Sequence, residues 1–146
     1  MTLTKIVNGE RVEMAAEEEK EFLAEGKRHA IDWYRLIDAR ANESLNGGIT
    51  VTANGTDYRV NSGPSARSLI AGAKVRAQEA INAGETLTRK IPTDKGIVSA
   101  NEQQLVALFD IMDTHHQAVM DRVEELHGKV ADGTITDDDL TTGWPT

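Results

Sequence analysis

The residues best placed by type and spacing to do chemistry lie toward the C-terminus. Asp132-Gly133-Thr134-Ile135-Thr136, followed by Asp139, echoes the middle of a calcium loop of the EF-hand kind. With Gly133 at the loop's glycine, Asp139 takes the last ligand position, while Gly128 and Val130 take the first and third. Those positions need side-chain oxygens, so two ligands are missing and the segment reads as a glycine turn before an acidic, Thr-capped stretch. His115 and His116 are the next candidates. Neighbours on a helix point about 100° apart, so they do not readily share one ion. His127 lies about three turns from His116, too far for a common coordination shell, and no HExxH pattern accompanies it. His116 reads instead as a polar residue within a packing seam, able to set register or partner.

Nucleophilic and phosphate chemistry fare no better. No serine stands in a Gly-x-Ser-x-Gly elbow, and Gly84, Gly96 and Gly47-Gly48 are separate turn glycines with no phosphate-loop spacing. There is no cysteine, hence no disulfide, thiolate or cysteine zinc site. Arg67, Lys74 and Arg76 read as the solvated face of a helix. The expectation is a non-catalytic protein with no catalytic residue, cofactor or metal.

Bulk properties narrow the remaining classes. The 146 residues suffice for one compact domain plus arms. Hydrophobic residues make up 39% and aromatic ones only 4%, so the core must come from Leu, Ile, Val and Ala. A net charge of -8 disfavours nucleic acid, because an acidic surface repels phosphate backbones. No apolar run approaches the roughly 20 residues of a membrane helix, and the N-terminus lacks the apolar stretch of a secretory signal. Synthesis and folding in a cytoplasm, without membrane insertion, are expected.

The elements that must carry any function read as α+β. Residues 1–13 form an arm with an Asn8-Gly9 turn whose apolar residues share no face in any register. Residues 14–45 read as one long helix, with Leu23, Ala30, Trp33 and Ile37 at helical spacing. Residues 46–130 make a small α+β domain. Its clearest element is the hairpin 49–60, in which Asn54-Gly55 is a two-residue turn and Ile49–Val60, Val51–Tyr58 and Ala53–Thr56 share one face. A helix over 64–83 follows, capped by Gly84. Residues 86–98 then read as two short extended pieces around a turn, with the short extra strand near 86–91 placed to extend the sheet, though Pro92 argues against a central position. Ser99 and Glu102 suggest a capping box for a last helix over 100–130. Beyond Met112 that helix carries His116, Val119, Val123 and Leu126 at spacings of three and four, the seam of a coiled coil, which should meet either the long N-terminal helix or, the slightly favoured reading, a copy of itself. Residues 131–146 read as an extended acidic arm with Ile135, Leu140 and Trp144 as anchors.

The order of these pieces resembles a domain of unknown function common in tail proteins of tailed bacteriophages and prophages. The resemblance runs from Ile49 to Val130, through YRVNSGPSARSLIAGA and SANEQQLVALFDIMDTHHQAV. NGERVEMAAEEEKEF and TTGWP are similar to flanking segments of the same group. It implies a structural component of the virion at the tail, such as a fibre, baseplate or adaptor piece, assembled in the host cytoplasm. The alternative is a fibre-assembly chaperone that is not retained in the particle. Partners would be other virion proteins and further copies of the chain, with His116, Val119, Val123, Leu126 and Trp144 as the interface.

Overall fold

The computed structural model describes residues 3–29 and 31–146. The chain divides into two compact units, residues 1–33 and 34–146.

The first unit opens with a hairpin. Strands β1 (Thr4–Val7) and β2 (Glu10–Glu13) pair antiparallel with Ile6 opposite Arg11. Asn8 and Gly9 both take positive φ, 54° and 86°, as a two-residue turn between twisted strands requires. Ile6, Val7 and Val12 all stay exposed, so backbone pairing and not a buried face holds this hairpin. Helix α1 (Ala16–His29) follows, its first turn carrying Glu17, Glu18 and Glu19 against the positive helix end. Lys5 pairs with Glu18. Two expectations are corrected here. The N-terminal arm is a strand pair, and the single long helix over 14–45 is two shorter ones. Leu23 is 55% exposed and so does not continue the buried stripe of the second helix. Asp32, a residue type that competes with the helix for local hydrogen bonds, stands just before Trp33, where that helix starts. Ala30 lies outside the described residues.

Helix α2 (Trp33–Asn46) buries Ile37, Ala41 and Leu45, four residues apart on one face. The second unit continues with β3 (Ile49–Ala53) and β4 (Thr56–Val60), whose register pairs Ile49 with Val60 and Val51 with Tyr58. Helix α3 (Pro64–Ala83) ends at Gly84, left-handed at φ 68°. Strands β5 (Thr88–Thr93) and β6 (Gly96–Asn101) then form a third hairpin. The extra strand therefore does not extend the first sheet; it has its own partner. Pro92 is accommodated because it faces Ile97 in a two-stranded ladder.

Helix α4 (Glu102–Asp132) runs about 46 Å at 1.5 Å per residue and organises the unit. Its box is set by Asn101 and Gln104 rather than Ser99 and Glu102, since Ser99 is committed to β6 opposite Lys90. Around its first half Leu108 and Met112 join Ile49, Val60 and Ile70, with Val51, Ile91 and Phe109 packed on them. Around its second half Val119 joins Ala41 and Leu45, with Val123 and Trp144 against them.

The C-terminal segment is not an extended arm. Gly133 caps α4 in the left-handed region, and α5 (Asp137–Thr141) folds back with Ile135 and Leu140 buried. Arg122, only 11% exposed along its side chain, donates to the carbonyls of Asp139 and Thr142. Lys129 meets the Asp139 carboxylate at 2.7 Å, and Trp144 donates to Leu140. Apolar burial and α4's two cations together hold the segment in place, which local sequence pattern alone does not show.

Candidate functional site

Ser62 sets the geometry on which the open face of the second unit depends. It is 2% exposed, and its hydroxyl donates to the Leu45 carbonyl at 2.6 Å while accepting from the Gly48 amide at 2.9 Å. One side chain thus ties the end of α2 to the start of β3 and the approach to α3. Arg67 reinforces it by donating to the Ser62 carbonyl at 2.7 Å.

With α3 fixed there, a cleft of about 660 Å³ opens between α3 and β5. Leu69, Gly72 and Ala73 form one wall, and Ile91 and Pro92 line the other. Leu69 is 74% exposed, a large apolar side chain left in water. Arg76, Arg89 and Lys90 surround this apolar floor. Among the described residues no acidic side chain pairs with any of the three; Arg89 donates only to the Thr88 carbonyl. In a chain of net charge -8, these unpaired cations form a local basic patch beside exposed apolar surface. Ser65 and Ser68 also line the cleft.

The turn of the β5–β6 hairpin is tied to β4. The Asp94 amide donates to the Arg59 carbonyl at 3.1 Å, and the Asp94 carboxylate accepts from the Arg59 amide at 2.8 Å. Lys95 adds a bond to the Asp57 carbonyl. Toward Arg89 and Lys90 no hydrogen bond joins β4 to β5 among the described residues.

The interface candidates on α4, and Trp144 near the C-terminus, make contacts inside the chain. Val119 and Leu126 are fully buried, Val123 and Trp144 pack against the Ala41–Leu45–Val119 cluster, and His116 is half-buried. Of the two surfaces expected to meet this seam, the helix N-terminal to the hairpin is the one seen: Val119 packs with Ala41 and Leu45 of α2, and Trp144 of the C-terminal segment lies against them. His115 bonds to the Ser44 carbonyl through Nε2 at 2.8 Å. His127 stacks edge-on against Tyr34, ring centres 5.0 Å apart. No three His, Asp or Glu side chains among the described residues cluster as metal ligands would. Gly133 and Asp139, the calcium-loop candidates, are a helix cap and an ion-pair partner. Hydrogen bonds from Lys129 and then from the Thr136 amide hold the Asp139 carboxyl down to a pKa of about 2. The amides of Glu102 itself and of Leu87 lower the Glu102 carboxyl.

A family of domains of unknown function, DUF4376, matches residues 27–142. The chain belongs to this family. Its description names no activity, and its extent takes in α2, both hairpins of the second unit and α5. No curated protein and no solved structure matches the chain. No helix among the described residues is long and apolar enough to cross a membrane.

The cleft was not visible in the sequence. Arg67, Lys74 and Arg76 look alike there as one solvated face, yet they do three things. Arg67 caps backbone carbonyls, Lys74 sits 4.0 Å over the Phe109 ring, and Arg76 alone borders the cleft. Only the packing of α3 beside β5 brings Arg76 together with Arg89 and Lys90.

Proposed function

We propose that this member of the DUF4376 family is a non-catalytic structural component of a tailed-phage virion, held at the tail through protein–protein contacts. The observation that carries the binding part is the α3–β5 cleft, with its apolar floor and three cations lacking acidic partners. The tail placement draws on the resemblance of residues 49–130 to phage tail proteins. The partners are other virion proteins, met in the host cytoplasm during assembly. Nucleic acid is the weaker partner for this face, since the chain as a whole is acidic and would repel a phosphate backbone. Quantitative mass spectrometry of purified particles tests the reading. The chain should be present at a fixed ratio to known tail proteins. If it is abundant in infected cells but absent from particles, it is instead an assembly chaperone.

A further inference from the structure

We infer that the α3–β5 cleft takes an extended, acidic, apolar-anchored segment of a partner protein, which adds as a short strand to the free edge of β5 at Lys90. The inference deepens the reading of the chain as a protein-binding component. It starts from Pro92, which has no amide hydrogen. The Pro92–Ile97 pair must therefore be a non-hydrogen-bonded one. Alternation then turns the polar backbone groups of Arg89 and Ile91 toward β6 and those of Lys90 away from it. The Lys90 amide and carbonyl have no protein partner among the described residues. They also face the cleft. Arg89, Lys90, Ile91 and Pro92 all line it, and four consecutive strand residues do so only when the strand presents its edge, because side chains alternate between faces.

An extended segment suits this opening. Its backbone can pair with the unpartnered Lys90 groups at the spacing of neighbouring strands, about 4.8 Å, which a helix, whose backbone groups are bonded internally, cannot do. Backbone pairing at Lys90 would give direction, and alternate side chains would meet Leu69 and the cleft floor. Pro92 limits the addition to a short stretch, since it offers no donor. Charge decides the composition. Arg76, Arg89 and Lys90 border the site without acidic partners, so a segment carrying Glu or Asp between its apolar anchors is the complementary one.

Fluorescence anisotropy of the full chain with a labelled peptide of alternating leucine and glutamate tests this. Binding should saturate and weaken with added salt. The double variant Arg76→Glu, Lys90→Glu should weaken it about tenfold or more. Gly72→Leu should weaken it as well by filling the cleft. A Cβ at Gly72 meets nothing within 4 Å, and leucine favours helix over glycine, so that variant keeps its fold, as circular dichroism would verify. The same peptide N-methylated at alternate amides should fail to bind. The inference is overturned if the glutamate peptide does not bind, or if a leucine–lysine peptide binds equally well. It is also overturned if oligothymidine displaces the glutamate peptide, or if N-methylation or Gly72→Leu leaves the affinity unchanged. Particle composition does not enter this measurement. A chain that binds the peptide but is missing from particles refutes the tail placement alone, and one found in particles that binds no such peptide refutes only the inference.

Discussion

Replacing Ser62 by alanine should destabilise the second unit by about 2 kcal/mol. The hydroxyl is buried and makes two hydrogen bonds, accepting from Gly48 and donating to the Leu45 carbonyl. Leu45 is the penultimate residue of α2, where carbonyls have no partner within the helix. Alanine would leave the Gly48 amide without its acceptor, and unpaired buried groups cost about 1–3 kcal/mol. Arg67 lies 3.4 Å from the Leu45 carbonyl and offers it partial relief, which places the value near the middle of that range. For a unit of this size the midpoint of thermal unfolding should fall by roughly 8 °C. Ser68→Ala, on the exposed face of α3, is the control and should leave the midpoint unchanged or slightly raised. Thermal melts by circular dichroism give the magnitude, and hydrogen exchange at the Gly48 amide, measured by NMR, gives the cause. A Ser62→Ala chain that melts with the wild type and protects Gly48 equally would show that this hydroxyl does not join α2 to β3.

Asp139→Asn should alter the acid limb of stability. The Asp139 carboxyl is lowered from 3.8 to about 2, so its stabilising effect is fully present above pH 3.8 and is lost as pH falls toward 2. Wild-type and variant melting points should therefore converge in that window, and equal gaps at pH 6 and pH 2 would contradict the pairing. Removing residues 134–146 takes away the burial of Ile135 and Leu140, about 3–6 kcal/mol in all, and uncovers Val119. Urea unfolding should show a much lower midpoint, whereas an unchanged one would mean the segment is a loose arm after all. Gly72→Ala should stabilise by about 0.5–1 kcal/mol, since the site is helical and open, and calorimetry would detect a loss of stability if the cleft wall were tighter than it is.

Local pattern was legible wherever a short stretch determines its own conformation. Asn54-Gly55 selects the hairpin turn, and the alternation on either side of it selects the Ile49–Val60 register. The three-four spacing on α4 marked its buried side, but not what buries it. Ala41 and Leu45 lie on α2, inside a segment whose average composition looks like one continuous helix. The break before Trp33 involves no proline, so it leaves little trace in the sequence. The two extended pieces of residues 86–98 and the turn between them were legible, but not that they pair with each other instead of extending the first sheet. Pro92 is a poor strand residue in the middle of a sheet but harmless at a non-hydrogen-bonded position of a two-stranded ladder. The capping box was displaced by two residues because Ser99 and Asn101 are both good cap types and only strand pairing chooses between them. Acidic, turn-rich residues 131–146 suggested an arm because their partners, Arg122 and Lys129, lie on a preceding helix. The cleft needs α3, β4 and β5 placed together, and no local spacing encodes that.

Cross-linking of purified particles with a lysine-reactive reagent, read by mass spectrometry, bears most directly on the chain's role as a tail component working through contacts of its second unit. Lys90, which lines the cleft, should be joined to another virion protein, with the chain present at a fixed ratio to the tail. Particles that lack the chain, or that contain it with no cross-link from this face to any other virion protein, would contradict that role.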